Sequence, residues 1–202
     1  MKPNIIATLS TQELGDLFPI ILEDHNPEWA QHYLHEENLI FGAIGEFIFR
    51  IHHIGSTSVP GLVAKPTIDV LVEIGRNSDC GKVVEAMKQC GFLFASKPEN
   101  PAPHMMFMKG YTEQGFKGQA VHVHVRYPGD WDELYFCEYL RKHPEKQQAY
   151  VDVKRSLKAR FEHDREAYTN GKSDFIQHLT MLARAEMQPY FSVGQTKSFQ
   201  QN

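Results

Sequence analysis

The chain has 202 residues, of which 42% are hydrophobic and 23% charged, with a formal charge of -4; this is enough apolar content for one well-buried domain and excludes a disordered, charge-dominated chain. The acidic balance argues against a broad basic footprint for duplex nucleic acid and leaves a small-molecule or protein partner as the expectation. No stretch approaches the ~20 apolar residues of a membrane span or reads as a secretory signal, so a cytoplasmic protein without a membrane partner is expected. Cys80, Cys90 and Cys137 lack CxxC spacing and suggest neither a disulfide framework nor a cysteine zinc site.

In chain order, residues 10 to 18 predict a short helix with Ser10 or Thr11 as cap and Glu13 closing a capping box. Asn26 followed by Pro27 starts a longer helix that runs toward Gly42 or Gly45. Residues 47 to 54 and 67 to 74 are rich in β-branched and aromatic residues and predict strands. Ser78 is read as the cap of a helix that ends before Gly91. Strands are then predicted at 92 to 96, 104 to 109 and 119 to 126, followed by helices over 130 to 142, 144 to 169 and 173 to 188. The order implies an α+β fold: a mixed β-sheet flanked by helices, with a C-terminal helical segment. An N-terminal arm (1 to 19), one domain (20 to 190) and a polar tail (191 to 202) are expected. The sequence leaves the oligomeric state open.

Alternation along 67 to 74 puts Ile68, Val70, Val72 and Ile74 on one face and Asp69, Leu71 and Glu73 on the other. A carboxylate there must be solvated, hydrogen-bonded or metal-bound. It either accepts N–H bonds from the preceding turn or serves a ligand. The strand "AVHVHVRY" repeats the pattern, with His122, His124 and Arg126 opposite Val121, Val123 and Val125. At ~3.3 Å per residue the two imidazoles stand about 6.6 Å apart, within reach of one metal ion or one anion; alternatively they line a solvent-facing strand. Glu73 lies about 13 Å along the strand from Asp69, too far to share an ion with it. The turn "GSTSVPG" offers Gly55 and the hydroxyls of Ser56, Thr57 and Ser58 beside free N–H groups, a form that holds phosphate but equally a structural turn. It is neither a P-loop nor a GxSxG elbow. A hydrolytic metal centre would need a third ligand, His52 or His53, and the chain has no HExxH.

The stretches "HHIGSTSVPGLVAKPTIDVLVEI", "HVHV", "YLRKHPEKQQAYVDVKRSL" and "DREAYTNGKSDFI" resemble the GrpB family, whose domain is also fused to some dephospho-coenzyme A kinases. The resemblance implies a nucleotidyltransferase-like fold in which a Gly-Ser turn holds a nucleoside triphosphate and carboxylates on the next strand hold magnesium. By that likeness Gly55, Ser56 and Thr57 meet the triphosphate, and Asp69 is the first carboxylate. The second carboxylate position is Leu71, and His122 and His124 stand where a third acid is expected. Asp69, His122 and His124 are therefore the candidate catalytic and metal-binding set, for Mg²⁺ or a softer Mn²⁺ or Zn²⁺. Lys154, Lys158 and Arg165 fall within about 40° of one another on one predicted helix face, with Tyr168 near them. Together with Lys65 and Arg126 they are candidate phosphate contacts, or else parts of a solvated face. The implied function is nucleotide binding with transfer of a nucleotidyl group to an acceptor. The alternative is a non-catalytic nucleotide- or metabolite-binding or interaction module.

Overall fold

In a computed structural model that describes residues 9–187, the elements run α1 (Thr11–Leu17), α2 (Glu28–Ile44), β1 (Ile48–Ile54), β2 (Thr67–Ile74), α3 (Cys80–Gln89), β3 (Leu93–Ser96), β4 (Met105–Thr112), β5 (Gly115–Arg126), α4 (Asp132–Lys142), α5 (Pro144–Phe161), α6 (Arg165–Asn170) and α7 (Ser173–Met187). The expected tail over 191 to 202 and the first eight residues of the arm lie outside the described residues.

Local chemistry sets most of the boundaries. Ser10 and Glu13 close the reciprocal capping box of α1. Asn26 Oδ1 accepts from the Glu28 amide at 2.9 Å and starts α2. The cap of α3 is Asp79 rather than Ser78: the Asp79 carboxylate accepts from the Lys82 amide, three residues on, at 3.2 Å. The helix expected over 144 to 169 is broken: α5 ends at Phe161, and the Asp164 side chain accepts from the Ala167 amide at 2.9 Å to start α6. Aspartate competes for backbone N–H groups and so favours a cap over a helix interior.

The five strands form one mixed sheet in the order β1-β2-β5-β4-β3. The β2–β5 pair is parallel and the others antiparallel. One side is closed by α2 and α3, where Trp29, Ile40, Ile44, Val83 and Met87 pack on Ile68, Val70, Val72 and Ile74. On the other side Leu71 and Ile54 pack with Leu134, Tyr150, Val151 and Leu179 from α4, α5 and α7. The face of β2 that carries Asp69 is thus covered by the C-terminal helices. Glu73, further along it, is fully buried and is held by the Arg50 guanidinium, the Gly129 amide at 2.8 Å and Trp131 Nε1 at 2.9 Å.

β4 runs beyond the predicted 109 to Thr112, and β5 begins at Gly115 rather than 119, so the two make a longer hairpin. The β4–β5 register slips between Lys109 and Tyr111, at Gly110. Gly110 adopts φ +85, and a Cβ there would stand 2.6 Å from Gln119 O, so the bulge requires glycine. Among the described residues no helix is long and apolar enough to cross a membrane.

Candidate functional site

The site is built around the Gly55 turn. Gly55 has φ +72, and a Cβ at this position would lie 2.5 Å from Asp69 Oδ2, so only glycine lets the turn press against that carboxylate. Its carbonyl accepts from Ser58 N–H at 3.2 Å and from Ser58 Oγ at 2.8 Å. Thr57, expected at a phosphate, faces inward instead: its hydroxyl donates to Thr67 O at 3.1 Å and accepts from His53 Nε2 at 3.0 Å. Ser56 Oγ lies 3.4 Å from Lys154 Nζ, while Ser58 at the far end of the turn accepts from the Arg141 guanidinium at its carbonyl, 3.0 Å, and its hydroxyl, 3.1 Å.

Parallel pairing brings Asp69 level with His122 and Leu71 level with His124. Asp69 Oδ1 lies 3.3 Å from His122 Nδ1 and 4.0 Å from His124 Nε2, so the carboxylate is met by imidazoles rather than by the N–H groups of the turn. Burial alone would raise the Asp69 carboxyl, but the hydrogen bonds of His122 and His124 hold it well below the usual carboxylate range. Burial pushes the His122 imidazole down despite the neighbouring Asp69, which favours the neutral ring. Its Nδ1–H then faces Asp69, and Nε2 accepts from the Tyr111 hydroxyl at 2.7 Å. Arg165 Nη2 donates in turn to the Tyr111 oxygen at 3.3 Å. The result is a directed chain from Arg165 through Tyr111 and His122 to Asp69.

Tyr111 escaped the sequence reading for a definable reason. Met106 and Met108 stand opposite His124 and His122 in the register, so strict alternation would turn residue 111 to the other side of the sheet. The bulge at Gly110 reverses that parity and stacks the Tyr111 ring on His122 with centroids 5.6 Å apart. An isolated glycine within a strand pattern was the available signal.

Positive charge gathers beside this chain. Lys154 is 2% exposed and donates to Val63 O, with its ammonium 4.3 Å from the centroid of the Tyr150 ring. Lys65 and Lys172 approach the buried Tyr168 ring, 5.8 and 4.6 Å from its centroid. Lys172 sits in the turn between α6 and α7, in the gap between the helices expected over 144 to 169 and 173 to 188, where the sequence gives its side chain no direction. Burial pushes Lys65 down to about 7, aided by the charges of Arg165 and Lys172. Burial likewise takes Lys154 to about 7, with Lys172 adding to it. Lys172 is lowered in the same way, by burial first, with Asp69 acting against it. Among the described residues, none of Lys65, Lys154, Lys172 and Arg165 belongs to an ion pair with a carboxylate, whereas ion pairs elsewhere are well formed.

Two candidates are not part of this cluster. Lys158 pairs with Glu162 at 3.5 Å on the outer face of α5, and the break after Phe161 separates it from Arg165, so the expected single basic stripe does not form. Arg126 shares the strand face of the histidines but is committed to Glu133 at 2.6 Å and stacks over Trp131. Tyr168 is buried, its ring serving the lysines and its hydroxyl lacking a partner in the structure.

The donor set does not fit the two-magnesium arrangement. Leu71 is fully buried in the core where the second carboxylate would be, and Nε2 of His122 is taken by Tyr111. Among the described residues no group of three or more His, Cys, Asp or Glu side chains is spaced to hold a metal ion.

A family model described as GrpB protein matches residues 19–181. The chain belongs to the GrpB family. Relatives of this GrpB chain include a UPF0157 protein of Pseudomonas aeruginosa, 38% identical over 162 residues that make up 79% of this chain and 65% of that one. The glutamate-rich protein GrpB of Alkalihalophilus pseudofirmus is 30% identical over 163 residues, 79% of this chain and 93% of its own length. A dephospho-CoA kinase of Mycolicibacterium paratuberculosis is 25% identical over 191 residues, 84% of this chain but only 47% of that one. The chain therefore spans just under two thirds of the Pseudomonas relative and less than half of the kinase. The crystal structure of GrpB from Enterococcus faecalis superposes with a TM-score of 0.72 at 24% identity, covering 82% of this chain and 98% of that one, a likeness of fold.

Proposed function

We propose that this GrpB protein binds a phosphate-rich small molecule, with the polyphosphate end of a nucleoside triphosphate as the ligand class. The reading rests on one observation: Lys154 meets Ser56 of the Gly55 turn while Lys65, Lys172 and Arg165 gather around Tyr168 and Tyr111 within the field of Asp69, and among the described residues none of the four is ion-paired with a carboxylate. Lys154 is buried and Lys65, Lys172 and Arg165 are half-buried, and since none of them is ion-paired with a carboxylate among the described residues, a polyanion supplies the charge they lack. Ser56 adds a hydroxyl at the same place. The ammonium and guanidinium groups provide the charge neutralisation that magnesium would provide in a nucleotidyltransferase-like site.

The non-catalytic form of this reading is favoured over nucleotidyl transfer by Leu71 and by the engagement of Asp69 with two imidazoles. Calorimetric titration with inorganic tripolyphosphate in EDTA tests it. Binding is expected without added metal, and Lys154→Ala or Lys172→Ala should each weaken it by roughly tenfold, the worth of a charge-assisted hydrogen bond. Asp69→Asn, titrated with tripolyphosphate in added Mg²⁺, separates the two forms: loss of a repelling charge should leave binding intact or tighter, whereas a metal-anchoring Asp69 would make the variant bind more weakly than the unmodified protein. Undetectable tripolyphosphate binding by the unmodified protein would end the proposal.

A further inference from the structure

A pocket of about 420 Å³ opens next to the cation cluster and shares Lys65 and Arg165 with it. Its size lies within the roughly 300–1,000 Å³ of small-molecule sites. Thr67, two residues before Asp69 on the same strand face, lines the pocket and ties it to the site above. Pro19, Ile21 and Phe116 provide apolar wall, and Ile21 and Phe116 are 37% and 36% exposed, placing them toward the mouth.

The remaining lining is not cationic. Glu23 and His32 also border the pocket, and Glu23 is exposed. The hydrogen-bond direction at His32 Nδ1 can be read from its partner. Gln119 Nε2 donates to Pro66 O at 2.7 Å and to Ala120 O at 3.0 Å, which fixes the amide with Oε1 toward His32 Nδ1 at 2.7 Å. Nδ1 therefore carries a proton, which leaves Nε2 as the ring nitrogen able to accept from a ligand whenever the ring bears that one proton. The pocket thus combines shared cations, an apolar wall, and two groups that accept hydrogen bonds.

We propose that this pocket holds the organic body of the ligand whose phosphates occupy the cation cluster. The ligand class is a phosphate ester with a compact, partly apolar body that carries hydrogen-bond donors, amino or hydroxyl groups, for Glu23 and His32. The inference rests on the phosphoanion reading above and adds to it where the rest of the molecule goes.

The experiment compares inorganic tripolyphosphate with ATP, GTP, CTP and UTP, each titrated into the full chain. At least one of the four should bind tenfold or more tightly than tripolyphosphate. Ile21→Trp, which fills the mouth, should remove that advantage and leave tripolyphosphate affinity unchanged. Glu23→Gln, which leaves the backbone pairing of Glu23 with Ala64 in place, should reduce the advantage severalfold. If all four bind no tighter than tripolyphosphate, or if neither variant lowers the advantage, the inference is overturned while tripolyphosphate binding keeps the phosphoanion reading intact. If neither tripolyphosphate nor any nucleotide binds, both are overturned.

Discussion

Gly55 is the residue on which the site's geometry turns. Its positive φ and the 2.5 Å that would separate an added Cβ from Asp69 Oδ2 act together. Gly55→Ala should therefore cost about 1–3 kcal/mol of stability, measured by urea denaturation, and should weaken tripolyphosphate binding by displacing Asp69 or the turn. Lys154 has the opposite balance. As a buried ammonium it opposes folding, so Lys154→Met should stabilise the fold by about 1–3 kcal/mol while weakening anion binding. The pH dependence has a definite sign. Lys65 and Lys154, ordinarily near 10.5, stand at about 7 in the folded chain. Between about 7 and 10.5 the unfolded chain holds more protons at these positions, so their contribution to stability rises with pH across that window; it is least favourable below 7. Tripolyphosphate affinity should run the other way, falling from pH 7 to 9, a range above the second phosphate ionisation near 6. A pH-independent affinity would show that these lysines do not meet the anion.

At the level of elements, the sequence was informative wherever one period held from end to end. β2 was read over its full length because β-branched residues continue from Thr67 to Ile74. The convergence of Asp69 with His122 and His124 followed from two strands with the same alternation. β4 was read only as far as 109, because a bulge changes parity at Gly110, and no count of alternating residues places Tyr111 beside His122 across it. Gly110→Val should break the Tyr111–His122 contact and cost about 1–3 kcal/mol, visible as a changed His122 ring environment by NMR. The C-terminal helices were found, but not the break before Asp164, since their helix-forming residues continue through it. That break decides which cations meet: it turns Arg165 toward Tyr111 and Phe18 O and leaves Lys158 outside with Glu162. Lys172 lies in a turn, where neither helical nor strand periodicity gives a side chain a direction.

For the whole molecule, a sheet with helices on both sides makes the candidate site a product of tertiary assembly. α5, α6 and the turn after α6 each contribute a cation to strands laid down much earlier in the chain. Ligand binding should therefore stabilise the folded domain as a unit. At 100 times Kd the gain is about 2.7 kcal/mol, which for a chain of this size raises Tm by about 5–10 °C. A melting temperature that does not move under saturating tripolyphosphate would contradict the proposed site. Fold class was legible at this scale because the order of strands and helices constrains layering, while the pocket between Pro19, Phe116 and Arg165 was not, since it joins segments that share no local pattern.

The side-by-side alignment of β2 with β5, the one parallel pairing in the sheet, has a kinetic consequence. Such neighbours need a long crossover, so their docking involves costly loop closure and belongs late in the folding reaction. Asp69 and His122 meet across this seam. A binder that recognises their shared surroundings has little to hold in the rate-limiting ensemble, so it should slow escape from the native state and leave the refolding rate nearly untouched.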